Sequence, residues 1–533
     1  MVMFFSFLIA MLVTMVLIPP LMRSAEWLQI VDLPNERKVH SGAIPRVGGL
    51  AMVAGAVLPP VLWLLPSPEV LGLLLGMLVI LGFGLWDDRV DLDYRLKFAG
   101  QCLAALIVWW AGVRVDELPV LGEVAPWLSL PLTVFALLAI TNAINLADGL
   151  DGLAGGSVLL SLAGIALLAY MANLAAPLLI ALAVMGSLLG FLRFNTYPAR
   201  VFMGDGGSQF LGFATGVLAI LLTQQSEAGY SLSLPILLLG LPILDTIMVM
   251  VRRLREGRSP FSADKNHIHH RLLALGLDHY QAVFVIYVVQ AVLVTAAYYL
   301  RDAPDAWILT VYLLCCVLVV TGLIWAGGRD WRRASAGGNR DLAGDLFGVR
   351  LERITQWGVS AAAFSMPLYL LSGGWLAQAP SADMAWLSAG LLIFLLLWWG
   401  WRRGPTLSLP ERGAVYLAGA WALYHVQRSA LEGPWTALSN VYFVLLAVTV
   451  AVAFRCSRDR RFAATPLDFL VVFLVVVFPQ VPGLDVGYPQ DLARLIVLFC
   501  AIELVLTHLR GRADWVRITT CVLLGLPLLH MFM

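Results

Sequence analysis

The sequence predicts an all-α polytopic membrane protein. Of its 533 residues, 60% are hydrophobic and only 13% are charged, whereas a soluble globular protein carries about 25% charged residues. Apolar runs of roughly 20 residues recur along the chain, and each is long enough to cross a bilayer as a helix. Roughly eighteen such spans fit, and we assign about 11 transmembrane helices to an N-terminal bundle and about 7 to a C-terminal extension.

The composition also argues against nucleic acid as a partner and against disulfides or metal ligation by cysteine. The formal net charge is only +1, so the basic surface that nucleic-acid binding requires is missing. The six cysteines are scattered through apolar stretches without CxxC spacing. We interpret them as packing residues rather than as metal ligands or disulfides.

The positions of the basic residues predict how the chain is oriented in the membrane. No basic residue precedes Arg23, so the first apolar run is interpreted as an uncleaved helix rather than a secretory signal. Loops rich in Lys and Arg then alternate with loops that are poor in them, and the basic loops should be cytosolic. In the first region these loops are 23–46, 89–97, 193–200, 252–271 and 329–353. The alternation leaves both chain termini outside.

A polar stretch divides the sequence into two regions. Residues 327–353 are rich in Gly, Arg and Asp and contain no spanning run, so we predict a cytosolic linker there. Residues 1–326 carry long polar loops, whereas residues 354–533 do not. In the second region Glu503 and His508 share one apolar run. Ionisable residues in such a run are functional candidates, but these two show no motif, and the role of the extension stays open.

Five polar clusters lie in the predicted cytosolic loops of the first region. Asp, Asn and Gly often do no more than cap helices and form turns, but five clusters on one membrane face favour a functional site. All the lysines, Lys38, Lys97 and Lys265, fall within these clusters. The clusters are 34–49, 87–97, 142–152, 195–208 and 264–271.

The residue types in the clusters predict metal-dependent phosphoryl transfer. Carboxylate and amide oxygens suit a hard cation such as Mg²⁺, which usually completes its shell with substrate phosphates. Lys and Arg beside the carboxylates would bind the remaining phosphate charge. Gly206 and Gly207 open a predicted helix whose free N–H groups can receive phosphate. A histidine-rich zinc site is the alternative, but no cysteine lies near the histidines.

The clusters resemble the polyprenyl-phosphate N-acetylhexosamine-1-phosphate transferases. The Asp-Asp pair, NxxNLxDGLDGLA, NxxPAxxFMGDxGS and HIHH occur here in the order that this family shows. The resemblance covers about residues 31–275 closely and 1–326 loosely. His267-Ile268-His269-His270 is similar to the WecA-type branch rather than to the MraY-type branch, which carries three consecutive histidines.

The resemblance implies a role for each motif. Asp205 would bind Mg²⁺ (Mn²⁺ is the open alternative), with Asp148 and Asp151 in the metal and nucleotide environment. Asp87 and Asp88 would handle the polyprenyl phosphate. The spacing of Asp148 and Asp151 puts them on one face only if that segment is helical. The expected catalytic residues are Asp87, Asp88, Asp148, Asp151 and Asp205, and the expected substrate-binding residues are Lys38, His40, Lys97, Asn145, Asn195, Phe202, His267, His269, His270 and Arg271.

The implied activity is transfer of an N-acetylhexosamine 1-phosphate from a UDP-sugar to undecaprenyl phosphate, with release of UMP. Direct attack by the lipid phosphate is favoured, and a two-step route through an aspartyl phosphate stays open. The expected setting is a bacterial inner membrane with the site on the cytosolic face and a homodimer as an open alternative. The rival class is a membrane transporter, which would place charges near the midplane and often show internal repeats; neither feature is visible in the sequence.

Overall fold

The computed structural model describes residues 2–32, 43–224, 229–259 and 267–328. Beyond residue 328 it describes 358, 360–372, 375, 382–401, 409–428, 434–456, 494–495, 497–499, 501–502, 504–506 and 513–532. Lys38, His40, Glu503, His508 and nearly all of the predicted linker lie outside the described residues. The chain forms two compact units, Met1–Gly338 and Asn339–Met533.

The first unit is built almost entirely from helices, as the sequence predicts. Its helices are α1 (Val2–Leu28), α2 (Gly48–Trp63), α3 (Pro68–Val90), α4 (Tyr94–Trp110), α5 (Pro126–Ala147), α6 (Leu153–Met171), α7 (Ala175–Asn195), α8 (Gly204–Gln224), α9 (Leu234–Leu238), α10 (Gly240–Arg255), α11 (Ile268–Ala274), α12 (His279–Tyr299) and α13 (Asp305–Gly328). Two short antiparallel hairpins, which the sequence did not predict, pair β1 (Val31–Asp32) with β2 (Ile44–Pro45) and β3 (Glu117–Leu118) with β4 (Gly122–Glu123).

The protein is a multi-pass membrane protein. Within the described residues, eight helices are long and apolar enough to cross a bilayer, namely α1, α3, α5, α6, α7, α8, α12 and the part of α13 from Asp305 to Ala326. Exposed tryptophans lie at both ends of the helices of the first unit, Trp27 of α1 and Trp86 of α3 at one end and Trp110 of α4 and Trp127 of α5 at the other. Such a distribution is typical of the two membrane–water interfaces. The predicted total of about eighteen spans stays a prediction.

The second unit contains the described helices Ala382–Trp401, Leu409–Arg428, Pro434–Cys456 and Ala513–Phe532. Two of them are joined by the buried guanidinium of Arg517, which donates to Glu411 at 2.7 Å and to Asp514 at 2.8 Å. Pairing of this kind is required because an unpaired buried charge is strongly destabilising. The assignment of catalysis to residues 1–326, with residues 354–533 as an extension, stays a prediction.

Helix α8 lies at the centre of the first unit, since every residue of its most apolar stretch is buried. Its first turn packs against two other helices through glycines. A Cβ at Gly84 of α3 would lie 2.6 Å from the backbone nitrogen of Gly206, and a Cβ at Gly49 of α2 would lie 2.7 Å from the Cα of Gly207. Only glycine permits this approach of one backbone to another. The start of α8 is therefore held rigidly between α2 and α3.

Candidate active site

The two adjacent aspartates at the end of α3, Asp87 and Asp88, make different contacts. Asp88 is fully buried, and its carboxylate accepts hydrogen bonds from the backbone nitrogens of Asp205 at 3.0 Å and Gly206 at 3.2 Å. It thus caps the first turn of α8, whose N–H groups have no partner within the helix. Arg46 lies 3.7 Å from the same carboxylate and also pairs with Asp32. Asp88 fixes the position of α8.

Asp87 instead faces a cation that it shares with Asp205. The ammonium group of Lys97, in the first turn of α4, lies 2.6 Å from Asp87 Oδ2 and 3.2 Å from Asp205 Oδ2. The other oxygen of Asp87 accepts from the backbone nitrogen of Leu92 at 2.8 Å. The side chain of Asp205 is 38% exposed, so this part of the cluster is open to a ligand. The structure therefore brings together three predicted residues, two from the cluster 87–97 and one from the cluster 195–208.

A row of buried amides lies one helical turn deeper along the same two helices. Gln101 follows Lys97 by four positions on α4, and Gln209 follows Asp205 by four positions on α8, so each pair shares a helix face. The amide of Gln101 donates to Gln209 at 3.0 Å, and Asn142 of α5 donates to Gln101 at 2.7 Å. These bonds join α4, α5 and α8 directly beneath the charged groups.

The segment that carries Asp148 and Asp151 is a turn between α5 and α6, so the two carboxylates do not share a helix face. Asp151 accepts from the backbone nitrogen of Ala199 at 2.9 Å. The surface of Asp148 is exposed to solvent, but the protein atoms around it still desolvate its carboxylate. This desolvation, together with the negative charges of Asp205, Asp151 and Asp88, raises the pKa of Asp148 to about 7. Asn145 lies on the last turn of α5 beside this segment.

Asn195 holds two of the predicted motifs against each other. Its side-chain oxygen accepts from the backbone nitrogen of Gly152, and its amide group donates to the carbonyl of Val201, both at 2.9 Å. The neighbouring Phe202 is half-buried and is fixed through its backbone, because its nitrogen donates to Pro45 and its carbonyl accepts from Gly48. The loop before α8 is thus braced from both sides, and the ring of Phe202 is left partly accessible.

A buried aspartate that the sequence did not suggest anchors the histidine motif. Asp245 of α10 is 2.8 Å from His267 Nδ1 through one oxygen and accepts from the backbone nitrogen of Ile268 at 2.7 Å through the other. The rings of His267 and His269 are nearly parallel, with centroids 5.7 Å apart. The ring of His269 rests against Gly149, where any Cβ would collide with it. The motif is thereby tied to the Asp148–Asp151 turn.

His269 cannot act as a cation in this position. Burial and the neighbouring His270 lower its pKa to about 4, so the ring is neutral near pH 7. Its Nε2 is buried and has no hydrogen-bond partner among the described residues. His270 and Arg271, on the first turn of α11, are only partly buried. Within the motif 267–271, Arg271 is the residue that always carries a positive charge.

The cluster around Lys97 fits a magnesium ion that is bound with substrate phosphates. Within the described part of the chain, no three histidine, cysteine or carboxylate side chains converge as a complete metal cage. Mg²⁺ rarely needs one, because it is usually held by one or two carboxylates, waters and phosphate oxygens. Asp87 and Asp205 already share one cation at 2.6 and 3.2 Å. Of these two carboxylates, Asp205 is the one that a ligand can reach, because its side chain is 38% exposed.

Several contributors to this site were missed at the sequence level. Gln101, Asp245 and Tyr287 lie in largely apolar stretches, and Gln209 follows directly after Ser208 of a predicted motif. Tyr287 is buried and donates to the carbonyl of Gly152 at 2.6 Å, which fixes the turn before α6. The available signal was their polarity, since a polar residue inside a membrane helix usually has a partner. Spacing supplied a second signal for the glutamines, which follow Lys97 and Asp205 by one turn.

Comparison with known proteins matches this arrangement to a described group of enzymes. The profile of glycosyl transferase family 4 matches residues 70–223, which run from α3 to α8. A probable undecaprenyl-phosphate N-acetylglucosaminyl 1-phosphate transferase of Bacillus subtilis (strain 168) is 36% identical over 331 residues, covering 60% of this chain and 92% of that protein. The chain belongs to glycosyl transferase family 4. This membership confirms the resemblance drawn from the motifs.

Other members of the family show similar agreement. A decaprenyl-phosphate N-acetylglucosaminephosphotransferase of Mycobacterium leprae is 38% identical over 300 residues, which cover 49% of this chain and 75% of that protein. An undecaprenyl-phosphate alpha-N-acetylglucosaminyl 1-phosphate transferase of Escherichia coli O157:H7 is 31% identical over 307 residues, covering 54% and 82% respectively. The three matches cover between 49% and 60% of this chain.

Proposed function

We propose that the protein transfers N-acetylglucosamine 1-phosphate from UDP-N-acetylglucosamine to undecaprenyl phosphate and releases UMP. The observation that carries the proposal is the convergence of Asp87, Lys97 and Asp205 at the rigidly held start of α8. The relatives in the family support the proposal, because their names describe this transfer to a polyprenyl phosphate. An oxygen of the lipid phosphate attacks the β-phosphorus of the donor, and the bond to the UMP oxygen breaks.

Each residue of the cluster has a role that follows from its contacts. Lys97 supplies a positive charge to the donor diphosphate, and Asp87 holds that ammonium group in place. Asp88 fixes the first turn of α8 so that Asp205 keeps its position. Asp205 would hold Mg²⁺, with Asp87 and Asp148 as the neighbouring carboxylates. When bound, this ion would neutralise charge on the transferring phosphate.

The nucleotide and sugar would contact the remaining predicted residues. Asn145, Asp151 and Phe202 surround the turn before α6 and the loop before α8, and Phe202 keeps part of its ring accessible for a uracil base. His269, which is neutral, would contribute a hydrogen bond rather than a charge. His270 and Arg271 complete the set on α11.

The cellular setting belongs to the same proposal. UDP-sugars are made in the cytosol, so the site would open to the cytosolic face of a bacterial inner membrane, in agreement with the distribution of basic loops. The product would start a lipid-linked envelope glycan such as O-antigen. We further propose that residues 1–326 contain everything needed for the reaction.

The decisive experiment uses the purified full-length chain in detergent. UMP release is measured with undecaprenyl phosphate and a panel of UDP-sugars, and the mass of the purified particle tests for a homodimer. Release that requires the lipid acceptor, stops with excess chelator and returns with Mg²⁺ is the expected result. Undiminished release in excess chelator would contradict the metal assignment, and no release with any UDP-sugar would contradict the proposed function.

A further inference from the structure

We infer that Asp245 is a positioning residue for the transfer reaction. It determines which ring nitrogen of His267 carries the proton, and it fixes the position at which the histidine motif begins. The inference rests on the proposed function. Asp245 lies on α10, 22 positions before His267, and no sequence motif joins them. Both its carboxylate oxygens are used, one on the His267 ring at 2.8 Å and one on the Ile268 backbone nitrogen at 2.7 Å.

This geometry determines which ring nitrogen of His267 remains for a ligand. An ionised carboxylate can only accept hydrogen bonds, so Nδ1 of His267 must carry the proton that points at Asp245. Nε2 is then the ring nitrogen that can serve a substrate. Which nitrogen is protonated is set by the hydrogen bond that the other nitrogen makes. Both side chains are more than nine-tenths buried, which keeps water from replacing the bond.

The same pair controls the position of the rest of the motif. The bond to the backbone of Ile268 fixes the residue at which α11 begins. The rings of His267 and His269 lie face to face, and His269 rests against Gly149 of the turn that carries Asp148 and Asp151. A shift at Asp245 would therefore move the histidines relative to the carboxylates.

The substitution Asp245→Asn separates charge and tautomer from packing. Asparagine has nearly the same shape but offers one acceptor oxygen and one NH₂ donor. If the oxygen stays on Ile268, the NH₂ group faces His267 Nδ1, and the ring proton must move to Nε2. A group that only orients a functional histidine is commonly worth about 10–100-fold in activity. We expect kcat to fall by about that factor, with the KM for UDP-N-acetylglucosamine and the midpoint of thermal unfolding near their wild-type values.

A double-mutant cycle tests whether Asp245 acts through His267. His267→Asn keeps a donor at the position of Nδ1 but has no Nε2, so it should fold and lose turnover. In the double variant, Asp245→Asn should cause no further loss. Losses that multiply, or wild-type turnover in either single variant, would overturn the inference. Thr246→Val is the matched control, because the neighbouring Thr246 hydroxyl is buried without a partner among the described residues. It should leave turnover unchanged.

A spectroscopic measurement keeps this test independent of activity. The chain has 8 histidines, and the ¹⁵N solid-state NMR signals that vanish in His267→Asn identify His267. In the wild-type protein these signals should show a protonated Nδ1, and in Asp245→Asn the proton should lie on Nε2. An unprotonated Nδ1 in the wild type would overturn the inference, even if Asp245→Asn failed to fold. Absence of UMP release by the wild type would instead contradict only the proposed function.

Discussion

Gly84→Ala should disturb the active site through packing alone. Gly84 lies one turn before the Asp87–Asp88 pair on α3, and its backbone touches the first turn of α8. An added Cβ would lie 2.6 Å from the nitrogen of Gly206 and 3.1 Å from the carbonyl carbon of Asp205. Both are backbone atoms, which cannot rotate away. Because ordinary contacts between heavy atoms begin at about 3.5 Å, the two helices must separate by about 1 Å.

A separation of this size acts directly on the cluster around Lys97. The bonds from Asp88 to the start of α8 are 3.0 and 3.2 Å, and Lys97 lies 3.2 Å from Asp205. An extra 1 Å between α3 and α8 would take both bonds to Asp88 beyond hydrogen-bond range and would shift Asp205 relative to Asp87. Misplacement of reacting groups by about 1 Å costs roughly 100-fold in rate. Overpacking typically costs about 1–3 kcal/mol in the free energy of unfolding.

The measurement is UMP release together with thermal unfolding in detergent. Gly82→Ala is the matched control, because Gly82 lies on the same helix and its Cβ would meet nothing within 4 Å. Alanine is favoured over glycine within a helix by up to about 1 kcal/mol, so this variant should be at least as stable as the wild type and equally active. Wild-type turnover in Gly84→Ala, or equal losses in the two variants, would refute the idea that the contact between α3 and α8 positions Asp205.

Three further predictions concern the cluster, the donor and the domain division. Asp205→Asn should reduce UMP release by about 100-fold or more, because it removes charge from the cluster that Lys97 joins. UDP-N-acetylglucosamine should be turned over about 100-fold or more faster than UDP-glucose, since a site built for the acetamido group would leave buried polar groups unpaired with glucose. Residues 1–326 expressed alone should retain detectable UMP release, because every described residue of the candidate site precedes that point.

Each of these three has its own control. Asp116→Asn changes an exposed aspartate on the opposite side of the bundle and should be near neutral; a loss there as large as that of Asp205→Asn would show that the assigned topology is wrong. Equal turnover of both donors would rule out an acetamido site. A monodisperse but inactive fragment 1–326, rescued by residues 354–533 as a separate chain, would show that the extension takes part in catalysis.

The sequence predicted which residues come together in the site. It predicted less well which contacts each of them makes there. Asp87 and Lys97 come from one polar cluster and Asp205 from another, and the structure places both carboxylates within 3.2 Å of the Lys97 ammonium group. Their polarity at the ends of apolar runs made this meeting predictable, since charges at a membrane edge tend to cluster for function.

The separate roles of Asp87 and Asp88 could not be predicted from the sequence. They depend on how the last turn of α3 is rotated against α8. Helix α3 is apolar on all sides, as membrane helices are, so no hydrophobic stripe indicates which face is turned inward. Asp245 was not predicted because its partner His267 lies 22 positions further along the chain and no motif joins the two residues.

Asp148 and Asp151 would share a face only if the segment that carries them were helical. The Asp-Gly-Leu-Asp-Gly sequence favours a turn, and the structure shows one. Gly152 has a φ of +79° there, a backbone conformation that glycine adopts without strain. In this turn Asp151 accepts from the backbone nitrogen of Ala199, while desolvation and the nearby negative charges of Asp205 and Asp151 raise the pKa of Asp148.

The row of amides beneath Lys97 bears on how a membrane that contains this protein keeps its proton gradient. Carboxylates, lysines and histidines can pass protons along a chain of hydrogen bonds, and a string of them across a bilayer would discharge the proton gradient. Gln101, Asn142 and Gln209 give α4, α5 and α8 the same connectivity with side chains that do not ionise. None of these three amides takes up or releases a proton near pH 7, so the row joins the helices without extending the ionisable cluster deeper into the membrane.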